Sequence, residues 1–239
     1  MLKTFSLLIF IALLSGCSSI LLKPESEWTV EDYYEKSKSE FDAGQWSMAI
    51  EYYEKLKANF PYGEYAEQAY MELAYAYYRY DEPQSAIREL DEFIRLYPKH
   101  PKLAYAHYLK AVAADSINQS WLDKFITDPA DRDAKSTMEA FRAYQVVVER
   151  FPDSEYAHAS QQRLVIISNR LARQELHVAK YYFKRKAYLA AANRANELIE
   201  KYPLAQANRE ALKLLKASYE KLGMQANANS VQAVIELNR

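Results

Sequence analysis

The chain has 239 residues, half of them apolar and 26% charged, so it has the means to bury a core and is not disordered. Glycine occurs four times and tyrosine twenty-one times. So little glycine argues against a turn-rich β-sandwich or barrel and leaves no Gly-x-Gly-x-x-Gly or Gly-x-x-x-x-Gly-Lys loop to cradle a nucleotide. A formal charge of −1 disfavours a nucleic-acid binder held by general basicity.

The N-terminus reads as an address. Lys3 precedes an apolar run from Phe5 to Leu14, broken only by Ser6, and then comes Leu14-Ser15-Gly16-Cys17. This last stretch resembles the lipobox of bacterial lipoproteins. The resemblance implies cleavage after Gly16 and lipidation of Cys17, the one cysteine of the sequence. Two or three acyl chains, at about 0.8 kcal/mol per buried CH₂, anchor stably. Ser18 follows in place of the Asp that retains such proteins at the inner membrane, which implies the outer membrane. The competing reading is an uncleaved membrane helix from Leu2 to Leu22, but Lys3, Ser15, Gly16, Ser18 and Ser19 interrupt it. Residues 1–16 are thus expected to be a signal peptide and 17–28 a lipidated tether, the stretch from Ile20 to Trp28 containing Pro24.

The body repeats. Phe60-Pro61, Tyr97-Pro98, Phe151-Pro152 and Tyr202-Pro203 each close a helical run, since proline just past the last turn stops a helix. Twelve residues before each proline stands alanine: Ala49, Ala86, Ala140 and Ala191. Eight before stand Tyr53, Leu90, Tyr144 and Ala195, and five before stand Leu56, Phe93, Val147 and Leu198. Alanine, then +4, then +7 is one helical face.

A first helix precedes each of these: Glu31 to Ala43, Tyr65 to Tyr80, Leu103 to Asn118 and Glu155 to Tyr182. Gln206 to Leu222 and Met224 to Leu237 complete a fifth pair, with Gly44 and Gly223 each five residues before an alanine. The expected fold is all-α, a tetratricopeptide-type solenoid of about five helix pairs over 29–238, near 29–61, 62–98, 99–152, 153–203 and 204–238. The third pair gains a loop, Gln119 to Asp133, carrying Trp121, Phe125 and Pro129, and the fourth gains length in its first helix. Insertions of this kind usually map to one face of a solenoid. The loop reads either as a solvated spacer or as a binding element, the two aromatics favouring the latter.

Catalytic chemistry has little support. His100, His107, His158 and His177 lack metal-ligand spacing, and no nucleophile motif is present. Asp128, Asp131 and Asp133 lack the glycine and distal glutamate of a calcium loop, so no metal and no cofactor is expected. Binding is the better reading, because a concave solenoid face is an extended groove and tyrosine offers wide contact area with a hydroxyl. The tyrosines read equally as inter-helix packing. Charge is uneven: Glu25 to Glu54 holds nine acidic and two basic residues, Gln161 to Arg194 eight basic and one acidic. Two partner surfaces would look like this, and so would solvated helix faces.

The lipobox, the tether and five helix pairs resemble the BamD family of β-barrel assembly lipoproteins. The likeness lies in Phe60-Pro-Tyr-Gly-Glu-Tyr65, Ala74-Tyr-Ala-Tyr-Tyr78, Phe93-Ile-Arg-Leu-Tyr-Pro98, Asp128-Pro-Ala-Asp-Arg-Asp133, Asn169-Arg-Leu-Ala172 and Val178-Ala-Lys-Tyr-Tyr182. Lys186 departs from an expected Gly and Asn169 from an expected Asp. The resemblance implies a non-enzymatic subunit at the periplasmic face of the outer membrane. Such a subunit binds the POTRA domains of the barrel protein BamA, associates with other assembly lipoproteins and receives unfolded barrel substrates. It puts the partner surface on the C-terminal half, where Arg194 matches a family residue, and Arg163, Arg170, Arg185 and Arg194 are the contacts expected there. The substrate side falls at Tyr62, Tyr65, Tyr75 and Tyr78. A tetratricopeptide lipoprotein adapting peptidoglycan or cell-division proteins is the alternative.

Overall fold

The computed structural model describes residues 23–117 and 134–238, and every regular element among them is helical. Ten α-helices follow a 3₁₀ turn at Glu25–Glu27: α1 Val30–Asp42, α2 Trp46–Asn59, α3 Glu64–Arg79, α4 Pro83–Leu96, α5 Leu103–Ser116, α6 Ala134–Arg150, α7 Glu155–Lys184, α8 Tyr188–Lys201, α9 Asn208–Lys221 and α10 Gln225–Leu237. Each packs on the next in the chain, and each first helix of a pair also touches the first helix of the following pair. That is the stacking of a tetratricopeptide solenoid. The signal peptide, Cys17 and the Gln119–Asp133 loop lie outside the described residues.

Two signals punctuate the array. The first is the X-Pro stop. Phe60, Tyr97, Phe151 and Tyr202 give their N–H groups to Leu56, Phe93, Val147 and Leu198 as the last donation of each second helix. The following proline has no N–H, and it pushes the residue before it out of the α region, to φ −134°, −122° and −127° at Phe60, Tyr97 and Tyr202.

The second is the turn between the helices of a pair. Gly44, Asp81, Lys186 and Gly223 all take positive φ, between 61° and 73°, and each stands five residues before the alanine of its pair. All four close the same Schellman motif. At the first, Gln45 N–H reaches Glu40 O and Gly44 N–H reaches Phe41 O; at the third, Ala187 N–H reaches Tyr182 O and Lys186 N–H reaches Phe183 O. The glycines at 44 and 223 announce this turn, whereas Asp81 and Lys186 adopt it without glycine.

Ala49, Ala86, Ala140, Ala191 and Ala228 expose no surface, nor do Leu56, Phe93, Val147 and Leu198. The predicted helical face is therefore the core, and the alanine is a fully enclosed part of it. Helix α7 runs for 30 residues, about 45 Å, and packs on α6, α8 and α9, so one rod serves both the third and the last pairs.

Residues 23–27 of the expected tether are exposed, and the stretch is fastened to the first pair through Trp28 and Lys23. Trp28 donates to Lys23 O at 2.8 Å, stacks on Tyr52 at 5.8 Å and meets Tyr33 edge-on at 5.1 Å. Lys23 grips Asp32, which also caps α1 by accepting from Thr29 N–H at 2.7 Å.

Lys186 carries the cost of a Cβ in the left-handed region, about 1–2 kcal/mol. Lys186→Gly is therefore expected to raise the denaturation free energy by about 1 kcal/mol, after the entropy cost of glycine is subtracted. A urea titration followed by circular dichroism reads the difference. An unchanged or lower midpoint would mean that the turn is not strained.

Candidate binding groove

The first helices of the opening three pairs line one continuous groove. On α1, Tyr34 and Phe41 stand seven residues apart and so share a face. On α3 the same spacing rule aligns Tyr65, Gln68, Glu72 and Tyr75. The third wall is Lys102, at the N-cap of α5, with Tyr105 one turn on. Two hollows meet here. One of about 730 Å³ lies between Tyr34, Tyr65, His100 and Lys102, and one of about 330 Å³ between Phe41, Glu72, Tyr75 and Tyr105. Gln68 and Lys102 border both.

Rings tile the walls. Tyr34 lies 5.1 Å from Tyr65, and Phe41 lies 5.6 Å from Tyr75 and 5.5 Å from Trp46. The Arg79 guanidinium sits 4.6 Å over Trp46 and donates to the Tyr75 hydroxyl at 3.0 Å. The series continues past the groove as Tyr105 meets Tyr156 at 5.6 Å and Tyr156 stacks on Tyr108 at 5.1 Å.

A nearly buried carboxylate organises the floor. Glu72 accepts from the Tyr53 hydroxyl at 2.5 Å and from Gln68 Nε2 at 2.9 Å, and Lys38 Nζ stands 3.4 Å away. Gln68 in turn accepts from Lys102 Nζ at 2.7 Å, so the lysine is held over the junction of the hollows. Burial, reinforced by the Glu72 charge, pushes the Tyr53 and Tyr34 hydroxyls well above their usual range. Burial pushes Tyr105 up to about 12. All three hydroxyls are protonated donors at neutral pH.

Of the four tyrosines singled out from the sequence, Tyr65 and Tyr75 line the groove. Tyr78 is half-buried, 6.3 Å from Tyr75, and packs against two core clusters. Tyr62 stands apart on the loop before α3, 82% exposed. Sequence reasoning missed Tyr34, Phe41, Gln68, Glu72, Lys102 and Tyr105. The seven-residue spacing of Tyr34 and Phe41 was the available signal.

The four arginines do not form one patch. Arg163 and Arg170 both turn onto Asp115, whose side chain is only 4% exposed at the end of α5. Arg163 Nε donates to Oδ2, and Arg170 Nη1 stands 3.6 Å from Oδ1. Together they tie α7 to α5 across the pair boundary. Arg185 is exposed at the C-cap of α7, and Arg194 is shared between Glu175 and Glu197 at 3.4 Å each.

Among the described residues no cluster of three or more His, Cys, Asp or Glu side chains is placed to hold a metal ion, and no helix is long and apolar enough to cross a membrane. His100 is used structurally: its ring lies 5.0 Å from Phe93, and its Nδ1 accepts from Lys102 N–H.

Asp115→Ala removes the buried carboxylate that two half-buried arginines share, so it is expected to cost about 3 kcal/mol of stability. Chemical denaturation measures this. A loss below about 0.5 kcal/mol would mean that solvent already screens the cluster.

Residues 26–234 match the family described as outer membrane lipoprotein, YfiO. Curated relatives agree along most of the chain. The outer membrane protein assembly factor BamD of Neisseria meningitidis serogroup A is 38% identical over 213 residues, covering 89% of this chain and 80% of the relative. Those of Haemophilus influenzae and Vibrio cholerae are 34% and 32% identical, covering 99% of this chain and 90% and 98% of theirs. With its helix pairs in one register from Thr29 onward and its sequence matched over 26–234, the chain belongs to the YfiO family of outer membrane lipoproteins, and the curated relatives within it are outer membrane protein assembly factors.

Proposed function

We propose that this protein works in outer-membrane protein assembly as a lipid-anchored, non-enzymatic binding subunit, held through Cys17 at the periplasmic face of the outer membrane. The observation that carries the reading is the preformed aromatic groove of the first three pairs in a chain of this family. Unfolded barrel proteins end in aromatic, apolar strands, and the groove meets them in kind. Rings at Tyr34, Phe41, Tyr65, Tyr75 and Tyr105 offer broad contact at small entropic cost, because a tyrosine has only two rotatable side-chain bonds. Lys102, held at the junction of the hollows, supplies a cation for a terminal carboxylate. Tyr62 and Tyr78 act at the margins of this surface.

The C-terminal half is the side for the POTRA domains of the barrel protein BamA and for companion lipoproteins. Arg185 is exposed there, and Arg194 is half-buried between Glu175 and Glu197. Arg163 and Arg170 serve that surface indirectly, by fixing α7 on Asp115.

Affinity purification of the intact lipoprotein from detergent-solubilised outer membranes is expected to bring down a POTRA-bearing barrel protein in near-stoichiometric amount. Arg194→Glu should lower that yield without unfolding the chain, since a surface charge contributes little stability. Tyr65→Ala with Tyr75→Ala should weaken binding of a synthetic C-terminal barrel peptide about tenfold or more while leaving the complex assembled. Recovery of cell-wall or division proteins in place of the barrel protein would replace this reading with an adaptor role.

A further inference from the structure

A second concave feature lies across α5 from the groove. Helix geometry puts His107, Lys110 and Ala114 about 140–200° around α5 from Tyr105, so they face the other way. There, between the two second helices α4 and α6, opens a cleft of about 510 Å³ with α5 as its base. Its floor is apolar, formed by Ile87, Ala114, Ala143 and Val146.

The charges around the floor are not balanced. Asp91 and Lys110 neutralise each other across the α4–α5 edge. Arg142 and Arg150 are exposed on the α6 wall and make no ion pair among the described residues. Glu139, the other charged group on that wall, stands about 16 Å along the helix from Arg150. Arg150 therefore stands alone at one end of the cleft, while Arg142 shares the other with Glu139, and the wall carries a net positive charge.

His107 adds an independent observation. Its Nε2 is buried without a hydrogen-bond partner among the described residues, while the ring lies 5.3 Å from Phe151. Burial, with the Arg150 and Lys110 charges adding to it, holds the imidazole down to about 4, so it is neutral at physiological pH. An unpaired buried nitrogen costs free energy that a ligand can recover.

We propose that this cleft is a docking site for a short acidic and apolar segment of a partner protein. One aliphatic or aromatic side chain fills the floor at Ile87, Ala114 and Ala143, and one or two carboxylates meet Arg142 and Arg150. Charge complementarity selects this occupant, because a basic segment would face two unpaired arginines and a neutral one would leave them unanswered. Glu139, one turn from Arg142, weakens that end for a carboxylate, so the acidic end of the segment points towards Arg150. The site lies on the opposite face from the aromatic groove and does not depend on it.

The test uses the full-length chain in phospholipid nanodiscs and fluorescein-labelled dodecapeptides of three compositions, acidic–apolar, neutral–apolar and basic–apolar, followed by fluorescence polarisation. Acidic–apolar peptides are expected to bind and the other two to fail. Arg142→Glu with Arg150→Glu should weaken binding at least tenfold, and Ala143→Trp should do the same by filling the floor. Both variants are checked by circular dichroism, and the charge-reversed pair, being on the surface, keeps the experiment decisive if the tryptophan unfolds the chain. Tyr65→Ala with Tyr75→Ala should leave this binding intact, which separates it from the substrate groove. Failure of the acidic peptides to bind, or binding indifferent to both cleft variants, would overturn the proposal. So would dodecanoate binding with the same sensitivity to them, since that would make the occupant a lipid carboxylate.

Discussion

The array rests on the smallness of one residue per pair. Ala49, Ala86, Ala140, Ala191 and Ala228 are fully enclosed, each near the start of a second helix. A longer side chain there would force the helices apart and strain the packing on both sides, because interiors are close-packed. Everything functional inherits that spacing. The groove walls are first helices spaced by the second helices packed on them, and the cleft lies between two second helices over the first helix they share. Both concavities are by-products of one packing rule applied five times.

Helix α7 breaks the regularity and turns it to use. Like the other first helices it contacts only the pairs on either side, but at 30 residues it runs well past the length its partners need. The Asp115 clamp makes the rod an integral part of the third pair. The carboxylate is too buried to stand alone, and two arginines from successive stretches of α7 compensate it. The end of α5, beside the long insertion, is thus rigidly joined to the helix whose far end carries Arg185.

The helices were legible because their signals are local. Proline stops and fully buried alanines recur at fixed spacing, and a period of 3.6 sorts the inward faces. Two of the left-handed turns were not legible, since Asp81 and Lys186 lack the glycine that announces such a turn, and only the shared Schellman hydrogen bonds reveal them. The groove was half legible. Tyr53 and Tyr65 look alike in sequence, yet Tyr53 is sealed in the core and Tyr65 lines a hollow, a difference set by tertiary neighbours. Arg163 and Arg170 read as a basic surface because their counter-charge, Asp115, lies 48 residues from Arg163 and on another helix.

The latch formed by Lys23 and Trp28 shortens a leash. With Lys23 fixed to Asp32, and the lipid of the proposed anchor on Cys17, six peptide steps of at most about 3.6 Å join the folded body to the bilayer. Lys23, where the first pair is tied, then lies no more than about 20 Å from the headgroups. Tyr34, two residues past Asp32, opens the groove at that same end. On the proposed anchor the array would be tied down at the end where the groove opens, leaving its last pair the part farthest from the membrane.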